Sequence, residues 1–246
     1  MANETATLAG YVADLKFADI PPEVLERAKV LTLDFLGSAI RARSEAESTP
    51  SLLKMLEALK LDAKGESTVF GDTKTWTPAV AALLNGALGH SLDFDDTHAD
   101  SSLHPSAPVV PAAFAVGEMV GASGRDVLTA IVAGYEVCCR LGNALDPTSH
   151  YARGFHPTAT AGTYGAAAAA ASEGACRECR GSTPPRRRRS CAARQTAIPQ
   201  TRRSQWPAPP PWSFRGRSAI RYPRTRARCW RASRLHFLRL RSRPTF

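Results

Sequence analysis

Apolar positions recur through the first two thirds of the chain with the period of a helix. Val24, Ala28, Leu31 and Phe35 follow at i, i+4, i+7 and i+11 and form one stripe. Pro21 and Pro22 stand where that helix begins, because a first-turn proline gives up no hydrogen bond. Thr49-Pro50 opens a shorter helix through Leu59, and Thr77-Pro78 starts another from Ala79 to about Ser91. Pro105 leads a helix to Val120 that Gly121 closes. Ser123 caps the next helix, with Leu128, Ile131, Tyr135 and Cys138 on its buried face. A last helix begins near Thr158 and runs into the alanines at 166–171. Ser67 to Phe70 is a short extended piece ending at Gly71. No period-2 alternation is long enough for a sheet, and no 20–50-residue repeat occurs. The expected fold class is all-α, one compact helical domain over residues 1–172.

That last helix pattern ends in mid-design. The alanine run should lead into an amphipathic stretch that packs on a neighbour, so an exposed apolar face is expected near Ser172. Instead the composition changes. Residues 1–172 hold 12 Lys and Arg against 20 Asp and Glu, a net charge of −8. Residues 173–246 hold 20 Arg, no Lys and only Glu173 and Glu178, a net of +18. The whole-chain value of +10 describes neither part. The acidic first part excludes a nucleic-acid-binding domain there and confines that question to the tail.

The tail is poor in aliphatics and rich in Arg and Pro, so it cannot bury enough apolar surface to offset chain entropy. Disorder is the expectation for 173–246. Arg interleaved with Trp206, Trp212 and Trp230 fits a non-specific nucleic-acid arm. The all-Arg cation set and the loss of Val, Asp, Asn and Lys fit an out-of-frame translation of a GC-rich gene better. Cys176 and Cys179 form a lone CxxC, and Cys191, Cys229 and His236 do not supply the second ligand pair that a zinc site needs. Cys138 and Cys139, adjacent in a helical pattern, read as buried thiols and suggest a cytoplasmic setting. Met1 to Leu15 lacks the features of a signal peptide, and no apolar run is long enough to span a membrane.

Chemistry concentrates between two of the helices. Four carboxylates (Asp93, Asp95, Asp96, Asp100) and three imidazoles (His90, His98, His104) fall within residues 90–104. A calcium loop starting at Asp93 fails, since His98 would take the glycine position and His104 the closing glutamate position. Three readings stay open on residue types alone. One is a transition-metal site, which the residue types suit without a compact ligand pair. Another is metal-free acid–base chemistry in a crowded carboxylate–imidazole site. The third is a capping loop before a proline-started helix. A second cluster, Arg153 to Thr158, is either a Gly/Pro-shaped turn or a seat for a carboxylate, formed by Arg153 and His156 beside a helix N-terminus.

Several runs resemble the MmgE/PrpD family: LNGALGHSLDFDDTH at 84–98, HPSAPVVPA at 104–112, GRDVLTA at 124–130, GYEV at 134–137, GFHPT at 154–158 and GTYGAAA at 162–168. The family includes 2-methylcitrate dehydratase, cis-aconitate decarboxylase and iminodisuccinate epimerase, and the resemblance covers about residues 5–172. It implies a large all-helical domain, a smaller α+β lid domain further along the chain, and a homodimer. It implies lyase or isomerase chemistry on small di- and tricarboxylates with no metal and no cofactor, dehydration of a substrate such as 2-methylcitrate first, decarboxylation or epimerisation second. In that chemistry a base removes a proton alpha to a carboxylate while an acid assists the leaving hydroxyl; in the decarboxylase variant, an acid protonates the carbon that CO₂ leaves. The resemblance places Asp93, Thr97 and His104 along the active site and His156 in the substrate pocket. Asp93 and His104 are the candidates for proton handling, Thr97 for positioning substrate, and His156 with Arg153 for holding a carboxylate. Asp95 and Asp96 are expected to fix the loop through backbone N–H groups, and His90 and His98 to be packing or loop residues. Family members take a further Lys and His from beyond the matched region. Residues 173–246 contain no Lys and only His236, so the helical part is read as truncated, the lid as absent and the chain as inactive on its own.

Overall fold

A computed structural model describes residues 3–172. The expectations placed on the tail, from disorder to the cysteine pair and the tryptophans, fall outside the described residues. Eight helices and one two-stranded hairpin follow in the order α1 (Glu4–Asp14), α2 (Pro22–Glu45), α3 (Ser48–Ala58), β1 (Lys64–Thr68), β2 (Thr75–Trp76), α4 (Pro78–His90), α5 (Ser106–Val120), α6 (Gly124–Ala144), α7 (Pro147–Ala152) and α8 (Pro157–Ala170). The described part is all-helical apart from that hairpin, as the apolar period requires. Among the described residues no helix is long and apolar enough to cross a membrane.

Local chemistry sets the boundaries. Prolines open α2, α4, α7 and α8 in their first turns. Ser123 and Asp126 close a reciprocal capping box on α6, and Gly121 ends α5 at φ 60°, where a side chain would be strained. Helices α1 and α7 have too short an apolar stripe to show in the sequence. Each is announced by its cap: Asn3 accepts from the Ala6 N–H at 3.1 Å, and Asp146 from the Thr148 N–H at 3.2 Å.

The stripe of α2 buries Ala28, Leu31 and Phe35. Helix α5 lies at the centre, against α4 on one side and α6 and α8 on the other. The crossing of α6 and α8 needs two glycines. A Cβ on Gly165 would sit 2.7 Å from the Cβ of Cys138 and 3.0 Å from the Gly134 carbonyl oxygen. Ala168 and Ala169 are buried in this crossing. The alanine run therefore finds its neighbours in α5 and α6, and the exposed face expected there is limited to residues such as Tyr164 and Ala167.

The extended piece lies slightly earlier than expected and pairs antiparallel with Thr75–Trp76. Fully buried Asn85 of α4 anchors it: its Oδ1 accepts from the Phe70 N–H at 2.8 Å, and its Nδ2 donates to the Thr68 carbonyl at 2.9 Å. Those backbone groups lie where the ladder ends, so the amide replaces strand partners.

Candidate active site

Helix α4 stops at His90, and the chain turns back before α5 begins at Ser106. Asp93 N–H bonds back to the His90 carbonyl at 3.1 Å, and Asp93 itself takes φ 55°. Aspartate is among the few residues that tolerate this left-handed conformation, and such positions concentrate at functional sites. A short 3-10 turn, Ala99–Ser101, is pinched off by His98 N–H bonding to the Leu103 carbonyl at 2.9 Å. His98 Nδ1 lies 2.6 Å from the Ser101 hydroxyl, so this imidazole braces the turn. Leu103 is fully buried and nails the loop to the core.

Asp95 organises the rest. Its carboxylate is completely buried. His90 Nδ1 lies 3.1 Å from both of its oxygens, and His104 Nδ1 lies 3.5 Å from Oδ1. The two imidazoles meet edge to face, with centroids 4.9 Å apart. A carboxylate oxygen accepts, so the tautomer that this contact favours has its proton on His90 Nδ1. Asp93, exposed at the rim, completes the group: His90, Asp93, Asp95 and His104 each offer a ligand-type atom, all within 4.8 Å of one another. These four could hold a cation as well as move a proton.

Asp96 faces the other way. It accepts from the Ser106 N–H at 3.1 Å and from the Tyr135 hydroxyl at 3.0 Å, and the Ser106 and Tyr135 hydroxyls touch. Burial raises the Asp96 carboxyl above its usual range, against the opposing pull of the bonds from Ser106 and Tyr135. Burial also pushes the Tyr135 phenol well up, with the Asp96 charge adding to it. This network ties the start of α5 to α6 and so fixes the chain just beyond His104.

The sequence candidates divide into two places. Asp93 and His104 stand together in the cluster. Thr97 is exposed on the same loop. His156 and Arg153 are exposed at the turn between α7 and α8, where the His156 ring lies 5.7 Å from Tyr151. That turn reaches the cluster through the backbone: the His104 N–H donates to Thr158 Oγ1 at 3.0 Å, in the first turn of α8. The structure adds two residues that were set aside as packing or loop-fixing. His90 turns its ring onto Asp95, and Asp95 receives imidazoles rather than backbone N–H groups. The readable signal was a polar residue closing an otherwise apolar helix, followed five residues later by a carboxylate. The two thiols among the described residues are poor nucleophiles: burial pushes Cys138 up to about 12 and Cys139 higher still.

The MmgE/PrpD N-terminal domain matches residues 6–173. The chain belongs to the MmgE/PrpD family. Relatives within the family include the cis-aconitate decarboxylase-like protein oryM of Aspergillus oryzae, 33% identical over 174 residues, which cover 68% of this chain and 36% of that protein. Cis-aconitate decarboxylase of Aspergillus terreus is 33% identical over 177 residues, 69% of this chain and 34% of that enzyme. The human cis-aconitate decarboxylase is 33% identical over 172 residues, 68% and 35% respectively. The chain thus spans about a third of the length of the curated relatives it matches, and in this chain the histidine–aspartate cluster lies inside the family match at 6–173.

Proposed function

We propose that this chain carries the proton-handling half of a lyase active site acting on a small unsaturated or hydroxylated tricarboxylate. The carrying observation is the buried Asp95 carboxylate shared by two imidazoles, with Asp93 and His104 within reach of one substrate. The names of the relatives favour decarboxylation of a cis-aconitate-like acid, and dehydration of a 2-methylcitrate-like acid, which the resemblance put first, is the second reading.

The chemistry follows from the groups. When a carboxylate leaves as CO₂, the bonding electron pair stays on carbon and spreads into the adjoining unsaturated acid. A proton must then reach carbon. An imidazolium at His104, steadied by Asp95, can deliver it through the nitrogen that faces away from Asp95. In a dehydration the same pair works in reverse order, Asp93 or His104 taking the alpha proton and the other protonating the departing hydroxyl. Thr97 and the Arg153–His156 turn bind the remaining carboxylates, with Arg153 offering a planar fork. The homodimer belongs to the same proposal.

The test is a chimera in which residues 3–172 replace the matching third of the Aspergillus terreus enzyme. Release of CO₂ from cis-aconitate, lost on Asp93→Asn or His104→Gln, supports the reading. Turnover unaffected by both substitutions refutes it.

A further inference from the structure

The cluster has a property beyond proton transfer. We propose that His90, Asp95 and His104, with Asp93 at the open rim, form a binding site for a divalent transition cation of the zinc type, which blocks the site rather than serving it.

Three observations carry this. The first is spacing. Zinc bound tetrahedrally at roughly 2.0–2.2 Å by nitrogen and oxygen holds its ligand atoms about 3.3–3.5 Å apart. Here His90 Nδ1 is 3.1 Å from the Asp95 oxygens and His104 Nδ1 is 3.5 Å from Oδ1. All four residues keep one donor within 4.8 Å of the others. The second is an unmet need. His104 Nδ1 is buried without a hydrogen bond of good geometry, and a buried polar atom in that state costs free energy that a ligand would recover. The third is donor chemistry. Two imidazoles and one or two carboxylates suit zinc, copper or cobalt, and are a poor match for magnesium or calcium, which prefer all-oxygen shells.

The surroundings are already ordered for it. The His104 backbone is held by Thr158, and the following turn by Asp96. A bound cation needs each Nδ1 as an unprotonated donor, with the ring proton on Nε2. It would take the His104 Nδ1 that faces Asp95 and so break the His104–Asp95 pairing on which the proposed reaction rests, and its binding can be read without any turnover.

The experiment is a Co²⁺ titration of the full chain carrying Cys176→Ser, Cys179→Ser, Cys191→Ser and Cys229→Ser, which removes competing thiolates. One equivalent of Co²⁺ should give visible absorption of four-coordinate intensity without a thiolate charge-transfer band, and Zn²⁺ should bleach it. His90→Gln or Asp95→Asn should each weaken the affinity more than about tenfold, since even an outer-shell change costs that much; Asp62→Asn should leave it unchanged. Absence of the absorption, or its survival in both cluster variants, overturns the proposal. In the chain with His90, Asp95 and His104 intact, Co²⁺ should also displace the His90 and His104 imidazole resonances paramagnetically. Unshifted resonances overturn it independently of how any variant folds.

Discussion

The Nδ1 atom of His90 stands 3.1 Å from both oxygens of Asp95, a carboxylate with no solvent exposure. One buried anion thereby sets the proton position on an imidazole that remains open on its other edge. Asp95→Asn keeps the shape and removes that control, because an amide can turn its NH₂ toward the ring and favour the wrong tautomer. In the chimera, kcat should fall by about 10²–10⁴, the usual worth of a positioned acid or base, with KM little changed. An unchanged kcat would remove Asp95 from the proton path.

Asp96 should set a pH slope on stability. Its carboxyl is raised in the folded state by burial, so between the ordinary value near 4 and the raised one the folded chain holds the extra proton. Stability therefore falls as pH rises through that window. Asp96→Asn abolishes that part of the slope while keeping an acceptor for the Ser106 N–H. Urea unfolding from pH 4 to 7 should show a flatter profile than the parent; an identical profile would contradict the assignment.

Asn85 should be costly to lose. Asn85→Leu strands the buried Phe70 N–H, which costs about 1–3 kcal/mol, and takes the donor from the part-buried Thr68 carbonyl. A loss of about 1–3 kcal/mol is expected in chemical denaturation. No measurable loss would mean that water replaces the amide.

Cys138 should be inert in the native protein. It is buried, and its thiol is pushed up to about 12, so almost no thiolate exists at neutral pH. Iodoacetamide at pH 7.5, read peptide by peptide, should leave Cys138 unlabelled until urea is added. Native labelling at the rate of a free thiol would show that α6 opens.

Much of this was legible in the residues. The α2 stripe, the proline-led starts of α4 and α8 and the serine cap of α6 each rest on interactions within a few positions, which a linear pattern records. The clustering of Asp93 with His104 was also readable, since one loop carries both. Three things were not. The burial of Ala168 and Ala169 depends on Gly134 and Gly165 letting two helices touch, and glycine has no hydrophobic signature. Tyr135 looked like a packing residue, because nothing local shows that its hydroxyl reaches Asp96, 39 positions away. The role of Asp95 depends on which side of the turn faces inward, and Asp93, Asp95 and Asp96 are chemically alike until the backbone separates them.

The hydrogen bond from the His104 backbone to Thr158 spans 54 positions. A nascent chain displays His90, Asp93, Asp95 and His104 long before Thr158 leaves the ribosome. Until α8 docks, Leu103 and the Asp96–Tyr135 pair hold the loop while the His104 backbone lacks its partner. The order of synthesis thus sets the last anchor of the loop, and a cut ahead of Arg153 would separate that residue, His156 and Thr158 from the cluster they complete.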